Sequence, residues 1–137
     1  HNIHAKFAEK CLDAGKHVVV EKPFTMVGEE ATALIETAEK KGVMLSCFQN
    51  RHWDGEPVTL KKLVDSGKLG EIYQMQAVRN KPKLPREWWR SNKEISGGEL
   101  MDWGAHILEW MLQLSGSQVK SVLCGVHMLR WHWCTNE

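Results

Sequence analysis

Ala14-Gly15-Lys16-His17-Val18-Val19-Val20-Glu21-Lys22-Pro23-Phe24 is the stretch on which the fold turns. Gly15 suits the left-handed residue that ends a helix, because it has no Cβ to clash. His17 to Val20 is a β-branched run without alternation. Such a run predicts a strand buried on both faces, as in a parallel sheet. Upstream, Ile3, Phe7, Ala8, Cys11 and Leu12 recur at helical spacing. Downstream, Ala31, Leu34, Ile35 and Ala38 share one helical face, Gly42 ends it, and Val43 to Phe48 forms a second apolar strand. The order helix, strand, helix, strand implies parallel strands covered by helices.

The pattern changes near Asn50. Arg51 to Pro57 reads as a polar connection, and Pro57 can open a helix faced by Leu60, Leu63 and Val64. Gly67 and Gly70 close that helix. Glu71 to Asn80 alternates, with Tyr73, Met75 and Ala77 on one side, which predicts a half-buried strand of an antiparallel sheet. Lys81 to Gly98 reads as a long loop. An apolar helix follows from Glu99 to Leu114, ended by Gly116, and Val119 to Trp133 reads as another strand. A domain boundary is expected at residues 50 to 55.

The chain has 137 residues and a formal charge of +1. Near-neutral charge gives no field favouring nucleic acid or an anionic membrane. No apolar run approaches the roughly 20 residues that span a bilayer. The chain starts without methionine in a helical pattern and stops after Thr135-Asn136-Glu137 with no closing element, so an internal piece of a longer protein is expected. Four cysteines, none in CxxC spacing, predict a reduced, cytoplasmic chain without disulfides. Cys11, Cys47 and Cys124 sit among apolar neighbours, where a thiol behaves as a small hydrophobe. All the tryptophans except Trp53 lie in the second half. They suit the wall of a pocket or a core.

Three segments can carry chemistry. Glu21-Lys22-Pro23 follows the first strand, and ligands of open parallel sheets bind beyond the carboxyl ends of strands. Partial burial would bring the Lys22 amine toward a useful acid/base range, and the following proline can form a cis peptide. A lysine at a strand end also serves simply as a solvated charge. Ser96-Gly97-Gly98 leads into Glu99-Leu100-Met101-Asp102-Trp103-Gly104-Ala105-His106. Asp102 and His106 are four apart, hence neighbours on a helix. Imidazole titrates near neutrality and can pass a proton. Gly104 inside the helix points to close packing or ligand approach. A helix cap plus a satisfied core histidine accounts for the same residues. Gln49-Asn50-Arg51-His52-Trp53-Asp54, after the second strand, can line the same cleft as Lys22, or be an ordinary polar linker.

No metal site is expected. His127 and His132 would point to opposite faces of a strand, and Cys134 lacks a second cysteine at zinc spacing. Lys81 to Arg90, basic and carrying Trp88-Trp89, could stack bases, but no basic face elsewhere supports nucleic-acid binding.

In order and with similar gaps, these segments resemble the glucose–fructose oxidoreductase/inositol dehydrogenase/rhizopine-catabolism (Gfo/Idh/MocA) family. The residues that carry the resemblance are Ala14 to Phe24, Gln49-Asn50-Arg51 with Trp53-Asp54, Ser66-Gly67-Lys68-Leu69-Gly70-Glu71-Ile72, and Gly97-Gly98 through Asp102-Trp103-Gly104-Ala105-His106. The resemblance implies an α/β fold. Residues 1–50 would be the C-terminal part of a Rossmann parallel sheet that binds NAD or NADP. Residues 51–137 would begin an α/β substrate domain with a mostly antiparallel sheet, often used to form homo-oligomers. It implies an NAD(P)-dependent oxidoreductase that transfers hydride between the nicotinamide and a sugar, polyol or related secondary alcohol. Lys22 and His106 would be the acid/base residues and Asp102 would position the substrate hydroxyl. Asn2, His4, Glu21, Lys22, Pro23, Gln49, Asn50 and Arg51 would lie at the cofactor. A non-catalytic relative, used for sugar sensing or assembly, is the alternative; retention of both Lys22 and His106 argues against it.

The chain departs from the family pattern in four places. No Gly-x-Gly-x-x-Gly occurs in the 137 residues. That turn, with its helix N-terminus, holds the pyrophosphate, so the isolated chain is expected to be inactive and to bind dinucleotide poorly. The residue that separates NAD from NADP is also lacking. Ser96 stands where the family often has a first glycine, and Glu109 where it has a later aspartate.

Overall fold

The computed structural model describes residues 1–80, 86 and 88–125. The first half is α1 (His4–Asp13), β1 (Val18–Glu21), α2 (Gly28–Lys41) and β2 (Leu45–Phe48). The two strands are parallel, with Val18 opposite Leu45 and Glu21 opposite Phe48. Gly42 takes φ 64° at the end of α2, where its N–H reaches back to the Glu39 carbonyl. Glu29 and Glu30 in the first turn and Lys40 and Lys41 in the last complement the dipole of α2.

Both helices cover the same face of the sheet. Ala8 and Leu12 of α1 meet Leu34 and Ala38 of α2 over Val20, with Val18, Phe24, Val43 and Leu45 packed alongside. Burial of a leucine such as Leu12 stabilises by about 2 kcal/mol. The expectation of a strand buried on both faces is corrected. Val20 is buried, but Val19 is 58 % exposed and Phe48 50 % exposed. Side chains alternate across a strand, and among the described residues only one face of this sheet has helices to cover it.

The second half begins with a 3-10 turn, Asn50–Trp53, and α3 (Gly55–Asp65), with Pro57 buried in its first turn. Another 3-10 turn, Trp89–Ser91, precedes α4 (Lys93–Ser96), a π turn over Leu100–Gly104, and α5 (Ala105–Ser115). The Asn92 side chain caps α4 by accepting from the Glu94 N–H. The expected single α-helix from residue 99 thus opens on a wider turn. Gly104 closes that turn at helical φ −58°, with Leu100 Cδ1 2.7 Å from where a Cβ would stand.

The expected antiparallel strands are also corrected. Residues 71–80 and 119–125 form no strand, because among the described residues neither stretch finds another strand to ladder with. Tyr73, expected on the buried side, is 93 % exposed. Ile72 and residues 74–79 instead border a groove of about 580 Å³ against α3 and α5, lined by Leu60, Val64, Trp103, Ile107, Trp110 and Met111 among others. The remainder of the strand expected to Trp133, with His127, His132 and Cys134, lies outside the described residues. Cys11 and Cys124 are exposed rather than packed as hydrophobes; Cys11 falls on the outer side of α1, whose inner side is Ala8 and Leu12. No helix among the described residues is long and apolar enough to cross a membrane.

Candidate functional site

β1 runs straight into the site. Its last residue is Glu21, and the Lys22–Pro23 peptide that follows is cis. The Lys22 side chain is 14 % exposed, and its Nζ donates to Asp102 Oδ1 and to the Asp102 carbonyl, both at 2.7 Å. Asp102 itself sits in the π turn with its side chain 5 % exposed. A charge-assisted bond in so dry a place is stronger than a neutral one. Asp102 Oδ2 faces a second cation, Arg90, whose Nε is 3.2 Å away.

The approach to the π turn is built on glycine. Ser96 is fully buried, and its hydroxyl accepts the Gly98 N–H. Gly97 takes φ 78°, and a Cβ there would stand 2.6 Å from Met101 Cγ and 2.9 Å from Met26 Cε. This close approach lets the residue 96–98 turn pack against the loop after β1.

One turn beyond Asp102, at the start of α5, His106 is buried, with the Trp103 ring edge-on to its own at 5.7 Å. Its pKa is lowered from 6.5 to about 4. Burial is the main cause; the positive charges of Lys22 and Arg51 add to it, while Asp102 and Asp54 oppose it. With its pKa drawn down this far, His106 is held neutral at pH 7. Its Nδ1 is buried and makes no hydrogen bond among the described residues.

The segment after β2 folds onto α5 from the other side. Arg51 Nη1 pairs with Asp54 Oδ2 at 2.8 Å, and its carbonyl accepts from Trp110 Nε1 at 3.0 Å. The guanidinium groups of Arg51 and Arg79 lie 4.5 and 3.7 Å from the Trp103 ring centre. Arg79 also pairs with Glu99, and burial pulls its pKa down. His52 bridges Glu109 Oε1 at 2.5 Å and Gln113 Nε2 at 3.1 Å. Gln49 is half-buried, and among the described residues its Oε1 finds no hydrogen-bond partner.

The sequence-derived site residues thus divide. Lys22, Asp102 and His106 share one buried centre, flanked by Arg51. His4 Nδ1 contacts the Pro23 carbonyl at 2.7 Å, and the Asn2 N–H donates to the Ile95 carbonyl, so α1 begins beside both halves of the centre. Glu21 and Asn50 are exposed, and no hydrogen bond or ion pair among the described residues joins them to it. His52 belongs to the segment expected to line the cleft, whereas Arg90, Arg79 and Gln113 carry no site expectation from the sequence. Arg90 does carry a local signal, because it follows two tryptophans and lies over both rings. The others are brought in only by tertiary contact. Among the described residues no group of three His, Cys, Asp or Glu could hold a metal ion.

The geometry can be set beside known proteins. Residues 1–49 match the oxidoreductase family with an NAD-binding Rossmann fold. Residues 58–134 match the GFO/IDH/MocA C-terminal domain. Over 116 residues the chain is 40 % identical to scyllo-inositol 2-dehydrogenase (NADP⁺) of Bacillus subtilis, covering 83 % of this chain and 32 % of that protein. It is 33 % identical over 104 residues to dTDP-3,4-didehydro-2,6-dideoxy-alpha-D-glucose 3-reductase of Saccharopolyspora spinosa, covering 76 % of this chain and 31 % of that one. The crystal structure of an NAD-binding protein from Listeria innocua superposes with a TM-score of 0.75 at 34 % identity, over 82 % of this chain and 32 % of that one. The chain spans about a third of the length of the curated relatives it matches.

Proposed function

Because this chain belongs to the Gfo/Idh/MocA oxidoreductase family, we propose that it carries the acid/base centre of an NAD(P)-dependent oxidoreductase acting on a secondary alcohol or ketone of a sugar, polyol or related compound. The observation that carries this reading is the pairing of Lys22 with Asp102 at 2.7 Å beside a buried, neutral His106. The substrate class rests on relatives that act on an inositol and on a nucleotide-linked sugar.

The residues present fit a nicotinamide ring. Gln49 Oε1, just beyond β2, is a buried acceptor without a donor among the described residues, as a carboxamide would require. Gln49, Arg51, Pro23 and the start of α1 at Asn2 and His4 would border it, at the carboxyl ends of the parallel strands. The nicotinamide, when bound, supplies the two-electron redox chemistry.

The chain's own residues handle the proton. In oxidation, neutral His106 accepts the hydroxyl proton of the substrate as the C–H hydride leaves and the carbonyl forms. In reduction, the same proton returns to the developing alkoxide. The Lys22 ammonium faces the same oxygen and stabilises its negative charge, an electrostatic role strengthened by the buried setting. Asp102 holds Lys22 in place. Orientation of the reacting groups in one cleft supplies much of the acceleration.

The test is turnover by the protein that contains this chain, with NAD⁺ and NADP⁺, against a panel of inositols, aldoses and nucleotide-linked sugars. Turnover of at least one compound, abolished in both Lys22→Met and His106→Asn, is expected. Tight dinucleotide binding without turnover of any of them would sink the reading and favour a sensing or assembly role.

A further inference from the structure

Arg90 belongs to none of the motifs, yet it reaches the centre of the site from the turn that precedes α4. We propose that Arg90 is a positioning residue: it holds the second oxygen of Asp102 so that the first is presented to Lys22. The turnover arm of its test rests on the oxidoreductase reading above; the geometric claim does not.

Three observations carry it. The Asp102 carboxylate is almost wholly buried and is addressed from both sides, by Lys22 on Oδ1 and by Arg90 on Oδ2. The last torsion of an aspartate is broad and roughly two-fold, so a carboxylate held at one oxygen can swing, whereas one held at both cannot. Arg90 is itself held. Its guanidinium lies 4.2 Å from the Trp89 ring centre and 4.8 Å from that of Trp88. A planar cation suits this setting, since it can lie against indole rings while one N–H edge reaches a carboxylate; an ammonium cannot do both. Finally, Arg90 is 35 % exposed while Asp102 is not, so the pair is open on one side only.

The arrangement also has an electrostatic consequence at His106. The charged groups acting on that imidazole are Lys22 and Arg51, which disfavour its protonation, and Asp102 and Asp54, which favour it. Removing the Arg90 charge leaves Asp102 less neutralised, so His106 gains proton affinity.

The test compares Arg90→Met and Arg90→Lys. In the 137-residue chain, the His106 ring is titrated by ¹⁵N NMR, a readout that needs no activity. Arg90→Met is expected to raise the His106 titration by up to about one pH unit, limited by solvent screening of the part-exposed pair. Arg90→Lys, which keeps the charge, is expected to titrate as wild type. In the active protein, Arg90→Met is expected to lower kcat by about 10- to 100-fold with the dinucleotide KM unchanged. Arg90→Lys is expected not to restore kcat, since the geometry stays lost. An unchanged His106 titration with kcat within about twofold of wild type would overturn the proposal. So would a wild-type kcat in Arg90→Lys, since the charge alone would then suffice and no held geometry would be needed. If wild type shows no turnover at all, the oxidoreductase reading fails while the titration still decides the role of Arg90.

Discussion

The Lys22 ammonium lies 2.7 Å from Asp102 Oδ1 and 2.7 Å from the Asp102 carbonyl, across a sequence separation of 80 residues. One side chain from the end of a parallel strand thereby ties down the π turn that leads into α5. The same contact places a cation beside the imidazole of His106, whose pKa burial lowers first and the Lys22 charge lowers further. The pair thus ties the two halves of the fold together and, on the proposed reading, holds the acid/base centre, so its removal should be read in both stability and turnover.

Lys22→Met leaves the buried Asp102 carboxylate with Arg90 on one oxygen and no lysine on the other. Breaking a fully buried ion pair costs 3–5 kcal/mol. With Arg90 still in place, a loss of about 2 kcal/mol is expected in urea unfolding, set against a fall in turnover of about a thousandfold. A variant as active as wild type would remove Lys22 from the chemistry.

The depressed pKa of His106 makes stability depend on acidity. The folded chain resists protonation of this ring down to about pH 4, whereas the unfolded chain protonates it near 6.5. Above pH 6.5 its contribution is fully present. As pH falls from 6.5 to 4 the unfolded state takes up the proton first, so stability declines, by an amount on the order of 3 kcal/mol. Below about pH 4 this contribution is gone and no longer changes. Unfolding midpoints measured across that window should show the slope in wild type and lose it in His106→Gln.

Gly97 and Gly116 both have positive φ, at 78° and 59°, but only Gly97 is crowded. Gly97→Ala pays for the left-handed backbone and also drives a methyl into Met101 and Met26, so about 2–3 kcal/mol of destabilisation is expected. Gly116→Ala has open space around it and should cost about 1 kcal/mol. Equal losses in the two would show that the turn at residues 96–98 yields without strain.

Val19 and Phe48 stand on the open face of the β1–β2 sheet, 58 % and 50 % exposed. Apolar surface of this kind, beside unpaired strand edges, promotes association. Sedimentation of the 137-residue chain should show concentration-dependent association, reduced in Val19→Thr/Phe48→Gln. A monodisperse monomer at all concentrations would refute this.

Much of the first half was legible from local pattern. The helical spacing of Ala8 and Leu12, the valine run and the glycines at 15 and 42 each specify a structure that short-range sterics and hydrophobic periodicity enforce. The register of the pattern was less legible. Val19 was expected inside, and the face it occupies depends on what packs there. The alternation of residues 71–80 was real as a pattern, but a strand exists only where a neighbour accepts its hydrogen bonds. The π turn at Leu100–Gly104 left a single trace, the glycine inside an apolar helix.

By itself the sequence determined the α/β order and the helix ends, and marked Lys22, Asp102 and His106 as candidates, because these follow from spacing, glycine conformation and motif. Only the tertiary structure decided which atoms meet. It set Lys22 on Asp102, brought Arg90 to the second carboxylate oxygen and buried His106 deeply enough to hold it neutral. Distances and desolvation are properties of the packed chain, since they arise between residues far apart in sequence, where no local pattern can encode them.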